Sequence, residues 1–131
     1  MSVGFKQTFV HGRYEKEAEL GLGGASAVFS VFDRYQNRRC ALKLLSRHLY
    51  ESEEGVTRLR REVESMKQLK HQHIAEVYDW HLDPPAIAME LIEGRSLSDW
   101  QRLYGPMPGQ LALKVAKDIS SALLAMHQQG L

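Results

Sequence analysis

The chain has one cysteine, Cys40, in 131 residues. That excludes a disulfide framework and any zinc site built on several cysteines, and it suits a reducing compartment. No apolar run approaches the roughly 20 residues that cross a membrane. The opening MSVGFKQTFVHGRY lacks the apolar stretch of a secretory leader. Neither sign of charge dominates. Lys and Arg number 17 against 16 Asp and Glu, a net charge of +1, so no broad attraction to nucleic acid or to an anionic membrane is implied. Together these absences indicate a cytoplasmic chain with no nucleic-acid partner and no membrane segment. Repeats and low-complexity tracts are also missing. The 4 prolines fall in two places, Asp83-Pro84-Pro85, which reads as a turn, and Gly105-Pro106-Met107-Pro108-Gly109, which reads as a rigid loop.

What is present is ordinary for a globular domain: 44% hydrophobic and 25% charged residues. The length suits one domain with a real core. About thirteen loosely specified residues precede it. Tyr14 to Leu22 then mixes charged and apolar residues like a half-exposed strand running into glycines. AVFSVFD, Ala27 to Asp33, is β-branched and aromatic, as strands are. RCALKLL, Arg39 to Leu45, reads as a third strand after the turn RYQNR. Ser46 to Gly55 is a polar linker. Val56, Leu59, Val63, Met66 and Leu69 recur at helical spacing, with Arg58, Arg60, Arg61 and Lys67 largely off that face. Further strands are expected at Ile74 to His81 and Ala86 to Leu91. Ser96-Leu97-Ser98-Asp99 has the form of a helix N-cap, with Gly105 as the stop. Leu113 to His127 carries Ala116, Ile119, Leu123 and Met126 on one face of a long last helix.

LGLGGASAVF, Leu20 to Phe29, is the segment that most needs a reason. A dinucleotide-binding loop needs a helix after its glycines, and a strand-like stretch follows here. A Walker loop is excluded because no Gly-Lys-Ser or Gly-Lys-Thr follows. A plain hairpin turn is the bland alternative. The third reading is a glycine-rich hairpin lying over nucleotide phosphates. It requires an apolar side chain just after the turn, which Val28 supplies. It requires a cation on the neighbouring strand, which Lys43 supplies. It also requires an acid to orient that lysine, for which Glu62 and Glu64 are candidates. Two residues apart on a helix, they point about 200° apart, so only one faces the lysine. Each residue alone has a blander explanation. Lys43 suits a strand surface, Glu62 a solvated charged face, Met66 and Met89 a core. His71 and His73 lack a third ligand for a metal.

The ordered set resembles a family. GRYEKEAELGLGGASAV, CALK, RLRREVESMKQLKHQHIAEVYDW, AMELIEG and ALLAMHQQGL resemble, in register, the N-terminal part of a eukaryotic-like Ser/Thr protein kinase of the kind common in bacteria. The resemblance runs from about Gly12 to Leu131. It implies an α+β fold: a kinase-like N-lobe, with a five-stranded antiparallel sheet and one C-helix, then a short and a long helix of an incomplete C-lobe. Residues 1–13 would be an N-terminal extension, 14–92 the nucleotide-binding lobe and 93–131 the exit from the hinge. The resemblance further implies that Leu20, Gly21, Gly23 and Gly24 shape a phosphate loop, with Ser26 in the family's third glycine slot. Val28 and Ala41 would sandwich adenine. Lys43 would hold the α- and β-phosphates, and Glu62 would orient Lys43. Met89 would be the gatekeeper, and Glu90 and Ile92 would meet adenine through their backbone. Ser96 or Asp99 would reach the ribose.

The family's catalytic loop, H-R-D-x-x-x-x-N, and its D-F-G would follow Leu131, so no catalytic and no metal-binding residue is expected within the chain. The full enzyme would move the γ-phosphate of ATP, with Mg2+, to a protein hydroxyl; this chain alone would be inactive. A truncated kinase is therefore expected, with the missing lobe or a partner covering the partly bare Leu113, Ile119, Leu123 and Met126. The alternative is a non-catalytic kinase-like binding or regulatory module.

Overall fold

The computed structural model describes residues 4–23 and 26–131. Strand β1 is Thr8–Phe9, β2 Tyr14–Gly23, β3 Ser26–Asp33 and β4 Arg38–Leu45. A single 3-10 turn, Arg47–Tyr50, leads to helix α1, Glu53–Gln68. Strands β5, Val77–Leu82, and β6, Pro85–Met89, form a hairpin, and helices α2, Leu97–Tyr104, and α3, Gly109–Gln128, complete the chain. The strands make one antiparallel sheet in the order β1-β2-β3-β4-β6-β5. The chain leaves β4, runs through α1 to the far edge, and turns back so that β6 fills the gap.

The sequence pattern predicts five strands, and among the described residues the sheet has six. The addition comes from the stretch read as loosely specified: Thr8 pairs with Glu15 and Phe9 with Tyr14, and Val10 is buried behind them. The segment Ala27 to Asp33 is a strand, which removes the dinucleotide-loop reading. Strand β5 starts three residues later than the IAEVYDWH pattern suggests. The Ile74 amide bonds back to the His71 carbonyl at 3.1 Å, holding that stretch in a turn. Strand β6 ends at Met89, where the Glu76 amide turns to the Glu90 carboxylate at 3.0 Å instead of completing the ladder.

Strand alternation divides the sheet. One face carries the core, with Tyr14, Phe29, Val31, Cys40, Leu42, Ala86 and Ala88 buried together. Burial pushes the Cys40 thiol up to about 11, leaving it a small inert hydrophobe. Helix α1 starts on Ser52, whose hydroxyl accepts from the Gly55 amide at 3.0 Å, and it buries Val63. Helix α2 starts on Ser96, which accepts from the Asp99 amide at 3.1 Å, and Gly105 at φ 77° stops it. Helix α3 starts at Gly109 rather than Leu113, since Ala112 bonds back to the Pro108 carbonyl at 2.9 Å. Only Ala122 of α3 is buried; Leu113, Ile119, Leu123 and Leu124 stand exposed, and Met126 is half-buried.

Candidate functional site

The face opposite the core holds the residues singled out above. Val28 lies across from Lys43 and Ser30 from Ala41. On the other side Lys43 lies across from Ile87 and Ala41 from Met89. Register and the period of two therefore put Val28, Ala41, Lys43 and Met89 on one surface. Ala41 is buried, while Val28, Lys43 and Met89 are half-buried.

The hairpin above this surface is irregular. Gly21 pairs with Val28 and Gly23 with Ser26, but the register slips between Glu19 and Gly21, leaving Leu20 unpaired and 52% exposed. A Cβ added at Gly21 would meet nothing within 4 Å, so internal packing does not require glycine there. The open space beside the strand is what a close-lying ligand would use. Gly24, also read as part of this loop, lies outside the described residues.

Lys43 and Glu62 line one cavity of about 310 Å³ between the sheet and α1. They form no ion pair, and Glu62 is exposed. Glu64, the other candidate acid, is committed elsewhere: its carboxylate accepts from the Trp80 indole Nε1 at 3.1 Å. Trp80 in turn lies beneath the Arg60 guanidinium, 5.8 Å from its ring centre. Tyr50, Leu45, Leu59 and Ile87 also face the cavity, and pattern reading passed over all of them as site residues. Their signal is three-dimensional, since Tyr50 belongs to a stretch read as a linker, and Leu45, Leu59 and Ile87 read as ordinary apolar positions of their strands and helix. The Tyr50 hydroxyl and Ser30 Oγ are buried without a hydrogen-bond partner among the described residues.

Where β6 leaves the sheet, Glu90 is tied on two counts. Its amide donates to the Glu76 carbonyl at 2.8 Å, and its carboxylate accepts from the Glu76 amide at 3.0 Å. Of the two Glu90 backbone groups, the carbonyl is the one left for a ligand. Among the described residues the Ile92 amide and carbonyl enter no hydrogen bond, and its side chain is 62% exposed. Ser96 caps α2, and the Asp99 carboxylate lies 3.4 Å from Arg102. Neither points to a ribose in particular.

His71 and His73 serve the fold. His71 Nε2 meets the Ser121 hydroxyl at 3.0 Å, and His73 Nε2 lies 3.2 Å from the Asp118 carboxylate. They fasten α3 to the sheet half. No group of His, Cys, Asp and Glu suited to a metal occurs among the described residues.

Comparison with known proteins identifies the class. The protein kinase domain family matches residues 14–131, and the chain belongs to that family. It is 35% identical over 130 residues to the serine/threonine-protein kinase PksC of Streptomyces coelicolor, covering 92% of this chain and 23% of that protein. It is 36% identical over 125 residues to the serine/threonine-protein kinase PknB of Mycobacterium leprae, covering 91% of this chain and 20% of that one. The crystal structure of the Mycobacterium tuberculosis PknI kinase domain superposes with a TM-score of 0.80 at 28% identity. That match covers 100% of this chain and 54% of that domain. The chain thus spans about half of a solved kinase domain and under a third of the length of these relatives.

Proposed function

We propose that the chain is the ATP-binding part of a bacterial-type Ser/Thr protein kinase, acting in the cytoplasm on protein hydroxyls when the rest of the enzyme is present. The observation that carries this is the strand register. It sets Gly21, Val28, Ala41, Lys43 and Met89 on one surface, opposite the core, with Glu62 across a cavity. In this reading residues 14–92 are the nucleotide-binding lobe, residues 93–131 open the helical lobe, and residues 1–13 are an extension.

Adenine would lie between Val28 and Ala41, with Met89 behind. The Glu90 carbonyl would accept from its exocyclic amine, and the Ile92 amide would donate to a ring nitrogen. The hairpin of Leu20, Gly21, Gly23, Gly24 and Ser26 would offer backbone amides to the phosphates, where side chains would block approach. Lys43 would donate to the α- and β-phosphates. Glu62 would hold the Lys43 ammonium in place once α1 moves toward the sheet. Magnesium carried on the ATP would neutralise phosphate charge. Neither H-R-D nor D-F-G occurs within the 131 residues, so the chain alone is proposed to bind nucleotide without transferring phosphate.

Calorimetric titration of the chain with MgATP tests this, using wild type and Lys43→Met. Loss of a charge-assisted contact predicts binding weakened about tenfold or more in the variant. A wild type that is folded by circular dichroism yet releases no heat, or a variant that binds equally well, would contradict the reading.

A further inference from the structure

The linker that follows β6 has few polar ties to the sheet. From Leu91 to Arg95 no hydrogen bond forms among the described residues. What joins this stretch to the sheet is an ion pair: the Glu93 carboxylate lies 3.7 Å from the Arg39 guanidinium. Arg39 has a second, closer partner, since its Nε donates to the Glu17 carboxylate at 2.7 Å. One arginine on β4 therefore connects β2 to the linker. Alternation fixes its face. Cys40 and Leu42 enter the core, so Arg39 stands with Ala41 and Lys43 on the opposite surface. Along β4, Lys43 lies on the hairpin side of Ala41 and Arg39 on the other side. Strand β6 ends where Met89 meets Ala41, and its antiparallel direction carries the linker back past Arg39.

We propose that Arg39 is a positioning residue for the nucleotide site: anchored to Glu17 and paired with Glu93, it sets the distance between the linker backbone at Ile92 and the sheet face at Val28 and Ala41. This rests on the nucleotide reading given above. In that reading Val28 and Ala41 fix the plane of the base, and the Ile92 amide must reach its edge at about 3 Å. A linker free to drift loses that bond. The Glu17 contact makes Arg39 a strut, because a guanidinium bound to Glu93 alone would swing with the linker. Charge-assisted hydrogen bonds of this length are the stronger kind. Arg39 does not reach for phosphate, since it lies beyond Ala41 from Lys43 and the glycine hairpin. The Arg39 and Glu93 side chains are 55% and 81% exposed, so salt screens their pairing and its share of the affinity is small.

The experiment titrates the isotope-labelled 131-residue chain with adenosine, which is neutral, and with MgATP, following amide resonances. Wild type, Arg39→Met, Glu93→Ala and the double variant are compared. Both side chains are exposed, so the variants are expected to fold, and thermal unfolding checks this. Each single variant is expected to weaken adenosine and MgATP by the same factor, about threefold. The double variant is expected to lose no more than either single one. Raising NaCl from about 0.05 M to about 0.5 M should weaken adenosine binding to wild type and leave the double variant unchanged. In the ligand-free chain the Ile92 amide resonance should move alike in both single variants. An unchanged affinity, a loss confined to MgATP, or an Arg39→Met loss undiminished without Glu93 overturns the proposal while leaving the nucleotide reading intact. So does adenosine binding by wild type that ignores salt, or an Ile92 amide that stays still. A folded wild type that binds neither ligand overturns both.

Discussion

Arg13 shows how much one side chain can hold. Its guanidinium grips Asp33 through two hydrogen bonds of 2.9 Å and reaches Asp79 at 2.9 Å. The rings of Tyr14 and Tyr35 each lie 4.9 Å from it. Asp33 is 2% exposed, so Arg13→Met would leave a buried carboxylate without its partner. Loss of one partner of a buried pair costs about 3–5 kcal/mol, measurable by urea unfolding. Burial is the largest influence on Asp33 and raises its pKa. Arg13 and the Tyr35 and Gln36 amides outweigh it, and the carboxyl ends below its ordinary 3.8. That contribution is present above pH 3.8 and is lost as pH falls through the lower folded value, so wild type should lose stability in that acid range and Arg13→Met much less. At this scale the sequence was legible where a motif spaced the residues, as for Lys43 and Val28. It was silent where partners are distant, as for Arg13 and Asp79, or where a residue such as Tyr50 carries no pattern.

Two elements hold testable joints. The Tyr14 hydroxyl and His81 Nε2, 2.8 Å apart, link β2 to β5 across the core face. Burial, the largest influence, lowers the His81 pKa below its ordinary 6.5, in a setting that also includes Asp79, Arg13, Asp33 and His11. The unfolded chain therefore binds the proton more readily. Stability is full above pH 6.5 and falls as pH drops toward the lower folded value, a slope that His81→Gln should flatten in denaturant titrations spanning that range. Helix α1 depends on its cap. Ser52→Ala removes the 3.0 Å bond to the Gly55 amide and should cost about 1 kcal/mol. Long periodic elements were readable in advance: α1, α3 and the β2-β3-β4 meander lie where spacing puts them, except that α1 begins inside the stretch read as a polar linker and α3 begins ahead of Leu113. The two-residue β1 was not, because two residues cannot display a period of two.

For the whole molecule, α3 matters most. It is pinned by His71 to Ser121 and His73 to Asp118, while Leu113, Ile119, Leu123 and Leu124 face outward. Such a surface favours association. Sedimentation should show self-association that grows with concentration and is reduced by Leu123→Lys. Whole-molecule order was legible because five stretches resembled one family in sequence. The separation of Lys43 from Glu62 was not, since it is a matter of where α1 stands and not of which residues it carries. The central claim, that the sheet face opposite the core is a nucleotide site, is tested most directly by mapping backbone amide shifts of the isotope-labelled chain on addition of MgATP. The account predicts shifts concentrated at Gly21, Val28, Ala41, Lys43 and Ile92. Shifts confined to the outer face of α1 around Thr57 and Arg61, or to α3, or none at all, would contradict it.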